Sequence, residues 1–142
     1  MMQSTLQGRL VAWICAAILI VANVAGYAFD LYAMAWWFDR VLHAATIFAL
    51  TLWLALIICA PAFRPGQPLL AAVLIAGLGV AIGAWWEVAE WFYDMLAPQN
   101  VIKGKDDTVI DIIMDTFGAG LAAALALRFM RPDGTTRPVS AG

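Results

Sequence analysis

Three short blocks hold the residues able to do chemistry. Asp39 and His43 stand four apart with Arg40 between them; Glu87, Glu90 and Asp94 follow at i, i+3 and i+7; Asp107, Asp111 and Asp115 recur every four residues. On helices, each of these spacings puts its members on one face. Carboxylates that meet on shared faces repel unless something compensates. One resolution is a divalent cation held by oxygen ligands and one imidazole. Others are protons shared between carboxylates, or pairing with Arg40, Lys103 or Lys105. The cation reading fits hard or borderline ions such as Mg²⁺, Mn²⁺, Fe²⁺ or Zn²⁺. Its ligands would come from Glu87, Glu90, Asp111, Asp115 and His43, with Asp39 and Asp107 beside them. The catalytic candidates are His43, as general acid/base, and Arg40, whose guanidinium suits phosphate oxygens.

Each residue also has an ordinary reading. His43 can be a hydrogen-bonded structural histidine, and Asp39 can cap its helix while Arg40 anchors in headgroups. Asp106 or Asp107 can cap the last helix, where acids suit the dipole, and Glu90 and Asp94 can be solvated at a helix end. Asp115 has no such reading, because it lies well inside an apolar helix. The stretch Thr116–Leu127 covers only about 18 Å as a helix, too little to cross ~30 Å of hydrocarbon. Asp111 and Asp115 must therefore enter the membrane, where a carboxylate costs at least ~2.5 kcal/mol and normally faces a partner, a cavity or an ion.

The elements that position these residues follow from composition. Of 142 residues, 64% are hydrophobic and 13% charged, and a water-soluble core has no use for so much apolar surface. Apolar windows at about 10–29, 41–60, 69–96 and 108–130 each suit one crossing. The expectation is an all-α polytopic membrane protein, a compact bundle of four transmembrane helices over residues 1–130, with 131–142 as a flexible cytoplasmic tail. The first window is longer than the apolar core of a signal peptide and reads as a retained helix.

Four spans put the N-terminus, the Pro61–Pro68 link and the C-terminus on one side, with Arg9, Arg64, Arg128, Arg131 and Arg137. The positive-inside rule makes that side cytoplasmic. Nine of the ten acids, all but Asp133, fall to the other side. Trp36, Trp37, Trp85, Trp86 and Trp91 mark the outer interface as an aromatic belt. Gly79 and Gly83 form a Gly-x-x-x-Gly that permits close helix approach. Cys15 and Cys59 lack metal or redox spacing. Phosphate loops, nucleophile elbows and nucleic-acid-binding stripes do not occur.

The order of the blocks is itself a pattern. It runs Trp37-Phe38-Asp39-Arg40-Val41-Leu42-His43, then Trp86-Glu87-Val88-Ala89-Glu90-Trp91, then Asp106-Asp107-Thr108 with Asp111 and Asp115 before Gly118-Ala119. It resembles the YjdF-like family of bacterial inner-membrane proteins and, more distantly, VanZ-like proteins. That resemblance implies a compact helical protein of the inner membrane whose motif residues meet, and the VanZ-like side implies cell-envelope chemistry. The resulting expectation is an outward-facing Asp/Glu/His pocket that holds a divalent metal and acts on or recognises a phosphate-bearing envelope lipid. Its partners would be membrane lipids and a homo-oligomer or larger membrane partner, not nucleic acid. The alternatives are a proton- or cation-coupled transporter or accessory subunit using the same carboxylates as a relay, and a structural or regulatory membrane protein.

Overall fold

The structure, a computed structural model, describes residues 1–97 and 101–132. Four helical segments are long and apolar enough to cross a membrane. A short strand, β1 (Met2–Ser4), precedes the first helix, α1 (Leu6–Ala28), which begins where the Thr5 hydroxyl accepts the Gly8 N–H at 3.1 Å. That bond satisfies one of the donors every helix start leaves open. Beyond Phe29 the chain turns at Asp30, φ 52°, a left-handed conformation that Asp tolerates better than most residues. The single turn α2 (Leu31–Met34) follows.

The second span is α3 (Phe38–Trp53), whose ladder widens into a π turn over Leu54–Cys59 and tightens to a 3₁₀ turn over Ala60–Ala62. Pro61 removes the N–H that would continue the helix. Trp37 occupies the N-cap position and Asp39 lies in the first turn, so Asp39 is not the cap the sequence offered it as. The third span, α4 (Pro68–Leu96), starts with Pro at a position where its missing donor is harmless.

The fourth span, α5 (Lys105–Phe129), is capped by Gly104 at φ 131°, not by Asp106 or Asp107. Asp107 sits one turn in and accepts the Lys103 N–H at 3.2 Å, reaching back over the helix start. The last strand, β2 (Met130–Pro132), pairs antiparallel with β1. Arg131 and Pro132, expected in a flexible tail, are thus tied down, because their backbone finds a partner in the N-terminus. Residues 133–142 of that tail lie outside the described residues.

The strand pair, the Met2 N–H on the Phe63 carbonyl (3.0 Å) and the Thr5 N–H on the Phe129 carbonyl (2.8 Å) gather the N-terminus, the 61–68 link and the end of α5 at one end of the bundle. Helix α5 packs between α3 and α4, while α1 and α4 leave most of their apolar side chains exposed. Lipid is as apolar as leucine, so close packing and not burial of oily surface must hold these helices together. The seam supplies it: Ala122, Ala123 and Ala126 of α5 are buried against Leu52, Leu56 and Ile75, and Ala119 lies against Gly79. A Cβ on Gly118 would run into the Ala44 carbonyl and lie 3.1 Å from the Phe48 backbone nitrogen, so only glycine lets α3 and α5 touch there.

Candidate functional site

At the opposite end of the bundle, this close approach brings the three polar blocks together. His43 of α3, Glu87 of α4, and Asp111 and Asp115 of α5 are all buried, Asp115 to 1% exposure. His43 Nδ1 and Asp115 Oδ1 are hydrogen-bonded at 3.2 Å, and Glu87 Oε1 lies 3.8 Å from the same nitrogen. Gly83 makes room for this arrangement: a Cβ there would collide with Asp115 Oδ2 and stand 2.8 Å from its Cβ. The Gly-x-x-x-Gly of α4, read from the sequence as packing, thus also leaves space for Asp115.

Two groups offer ligand atoms that all lie within 4.8 Å of one another: His43, Glu87 and Asp115, all buried, and Asp39, His43 and Asp111, of which Asp39 is half-buried. His43 belongs to both. An atom at the centre of such a triangle needs inward shifts of under ~1 Å from its ligands to reach the ~2.0–2.2 Å typical of carboxylate and imidazole coordination. The first group joins three helices, so an ion there would bind across the bundle.

The oxygens of this site are short of partners. Glu87 Oε1, Asp111 Oδ1 and Asp115 Oδ2 are buried without a hydrogen-bond partner among the described residues. No Arg or Lys of those residues comes within 4.0 Å of Glu87, Asp111 or Asp115. Pairing with Arg40, Lys103 or Lys105 therefore does not explain how these three carboxylates are tolerated. Three buried carboxylates around one imidazole leave an excess of negative charge that shared protons or a bound cation would offset.

The remaining candidates stand around this pocket. Arg40, partly exposed, lies 3.6 Å from Asp107 across the α3–α5 gap, donates to the Trp36 carbonyl at 2.8 Å and stacks over the Trp36 ring. Glu90 joins neither ligand group; its carboxylate accepts the Trp86 indole N–H at 2.7 Å. Asp94 is a loop anchor, accepting the N–H groups of Val101 and Ile102 at 2.9 Å each. Two residues escaped the sequence reading. Tyr32 of α2 donates to Asn23 Oδ1 at 3.2 Å; burial, then the charges of Tyr27, Asp39 and Glu90, push its pKa up to about 12. It therefore stays protonated and serves as a hydrogen-bond donor. Thr51, fully buried two turns along α3 from His43, has a hydroxyl without a partner among the described residues. A threonine in an apolar run carries no sequence signal of this.

Residues 2–132 match the family described as "Predicted membrane protein (DUF2238)". An "Uncharacterized protein" of Thermotoga maritima is 33% identical over 108 residues, 75% of this chain and 56% of the relative. The chain thus spans little more than half the length of that curated relative. No solved structure matches.

Proposed function

The chain belongs to the predicted membrane protein family DUF2238, and on that premise we propose that its buried pocket holds one divalent cation and recognises or acts on a phosphate-bearing lipid of the cell envelope. One observation carries the reading. Glu87, Asp115 and His43 reach from three helices to within 4.8 Å of one another, with a carboxylate oxygen on each acid left without a partner among the described residues. Asp111 borders the same space and would be the further ligand. Mg²⁺, Mn²⁺, Fe²⁺ and Zn²⁺ all accept this donor set. When bound, such an ion supplies Lewis-acid stabilisation of a phosphoryl oxygen.

The chain's own residues would do the rest. Arg40 stands at the rim, paired with Asp107, and exchanges that carboxylate for a lipid phosphate. One ring nitrogen of His43 would take the ion and the other would hold a proton. Exposed Trp36, Trp37, Trp85 and Trp86 set this end at headgroup height. The preferred location is the bacterial inner membrane with both termini cytoplasmic and the pocket facing outward, in keeping with the arginines at the other end. The YjdF-like and more distant VanZ-like order of the motifs supports an envelope role. The exposed apolar faces of α1 and α4 leave room for a second copy or a larger membrane partner.

A second reading rests on His43 belonging to both ligand groups. The two form a continuous chain from half-buried Asp39 to buried Asp115, the layout of a proton or cation relay in a transporter or accessory subunit. Electron paramagnetic resonance of added Mn²⁺ separates the two. The metal-site reading expects a bound Mn²⁺ signal that Glu87→Gln/Asp115→Asn abolishes and Arg40→Ala retains. It also expects Arg40→Ala to weaken binding of phosphatidic-acid nanodiscs. Bound Mn²⁺ that survives the double variant would move the ion elsewhere and leave the relay as the better account.

A further inference from the structure

At the end of the bundle away from the acids, an open groove of about 580 Å³ is lined by Thr5, Gln7, Leu125, Arg128, Phe129 and Arg131. We propose that this groove binds the headgroup of one anionic phospholipid. Its walls are held in place: the Thr5 N–H donates to the Phe129 carbonyl, β1 pairs with β2, and Gly8 approaches Phe129 so closely that a Cβ there would collide with the base of its side chain. The volume falls within the ~300–1,000 Å³ of small-molecule sites.

The lining matches such a lipid in order as well as in charge. Arg128 and Arg131 form no salt bridge among the described residues. Their planar donors suit the two free oxygens of a phosphodiester. The first turn of α1 carries no acidic residue to oppose an anion. Leu125 lies one turn further into the membrane than Arg128 and Phe129 beside it, an apolar surface where an acyl chain leaves the headgroup. The groove lies at the ends of two spans, at the depth where a headgroup sits. A soluble phosphate would use the arginines but not the apolar wall, so the occupant is a lipid.

Native mass spectrometry of the full chain in neutral detergent tests this by titration with phosphatidylglycerol and phosphatidylcholine. The wild type should bind one phosphatidylglycerol in preference to phosphatidylcholine. Arg128→Gln and Arg131→Gln should each reduce that preference about fivefold, and the double variant about twentyfold. Arg9→Gln/Arg64→Gln, which removes the same formal charge from the same end but outside this groove, should change it less than twofold. Equal loss in both double variants would overturn the proposal in favour of diffuse surface charge. Displacement of the lipid by equimolar inorganic phosphate would overturn it in favour of a free-anion site. The single variants carry the same test should either pair fail to fold.

Discussion

The two halves of α5 present their buried faces to the same two neighbours, yet they are built differently. From Gly118 to Ala126 the face is glycine and alanine, and its neighbours are aliphatic. From Asp107 to Asp115 the same face carries acids, and its neighbours are His43, Glu87 and Arg40. The first half gains stability from close approach alone. In the second, buried oxygens are left without partners, which costs about 1–3 kcal/mol per group and more for a charge. A helix that only needed to pack would continue its alanines upward. The lower half is built for close approach, and the upper half is where the proposed ion would be held.

Substitutions can break or sharpen that contrast. The largest effect falls on the packing half: Gly118→Leu drives a side chain into the Ala44 carbonyl and should lower stability by about 3 kcal/mol or more. Thermal unfolding in detergent measures it, and an unchanged midpoint would mean that α3 and α5 are held by something else. Next comes Asp115→Asn, which should reduce metal affinity at least ~100-fold, beyond what loss of a supporting residue costs, with little loss of stability. Metal titration followed by unfolding separates the two effects.

Gly83→Ala connects the halves, because its methyl pushes the Asp115 carboxylate aside while every ligand residue is kept. It should weaken metal binding about tenfold through misplacement while Asp115 itself remains. Thr51→Val replaces a buried hydroxyl lacking a partner and should leave stability unchanged or raise it by about 1 kcal/mol. A loss of 2 kcal/mol there, read by the same unfolding, would assign Thr51 a polar partner and extend the functional half downward. Arg40→Ala should affect the metal least of all.

The spans were legible because length and hydropathy alone demand them, and Asp115 was legible because a carboxylate deep in a span has few innocent readings. The choice among neighbours was not. Glu87 and Glu90 share a helix face by spacing, but the rotation of α4 depends on where Gly79 and Gly83 meet Ala119 and Asp115. That contact turns Glu87 inward and leaves Glu90 to Trp86. Gly104 was hidden as a cap behind Asp106 and Asp107, whose types suit that role better. The β1–β2 pair is three residues long and rests on a contact across the whole chain, so no local period announces it.

The central claim is that the upper half of α5 holds an ion. Elemental analysis of detergent-purified protein, dialysed without chelator, tests it most directly against the Glu87→Gln/Asp115→Asn variant. The account predicts close to one equivalent of a divalent metal in the wild type and none in a double variant that keeps its helicity and elution volume. Folded wild-type protein that carries no metal, and takes up none on titration, would contradict it.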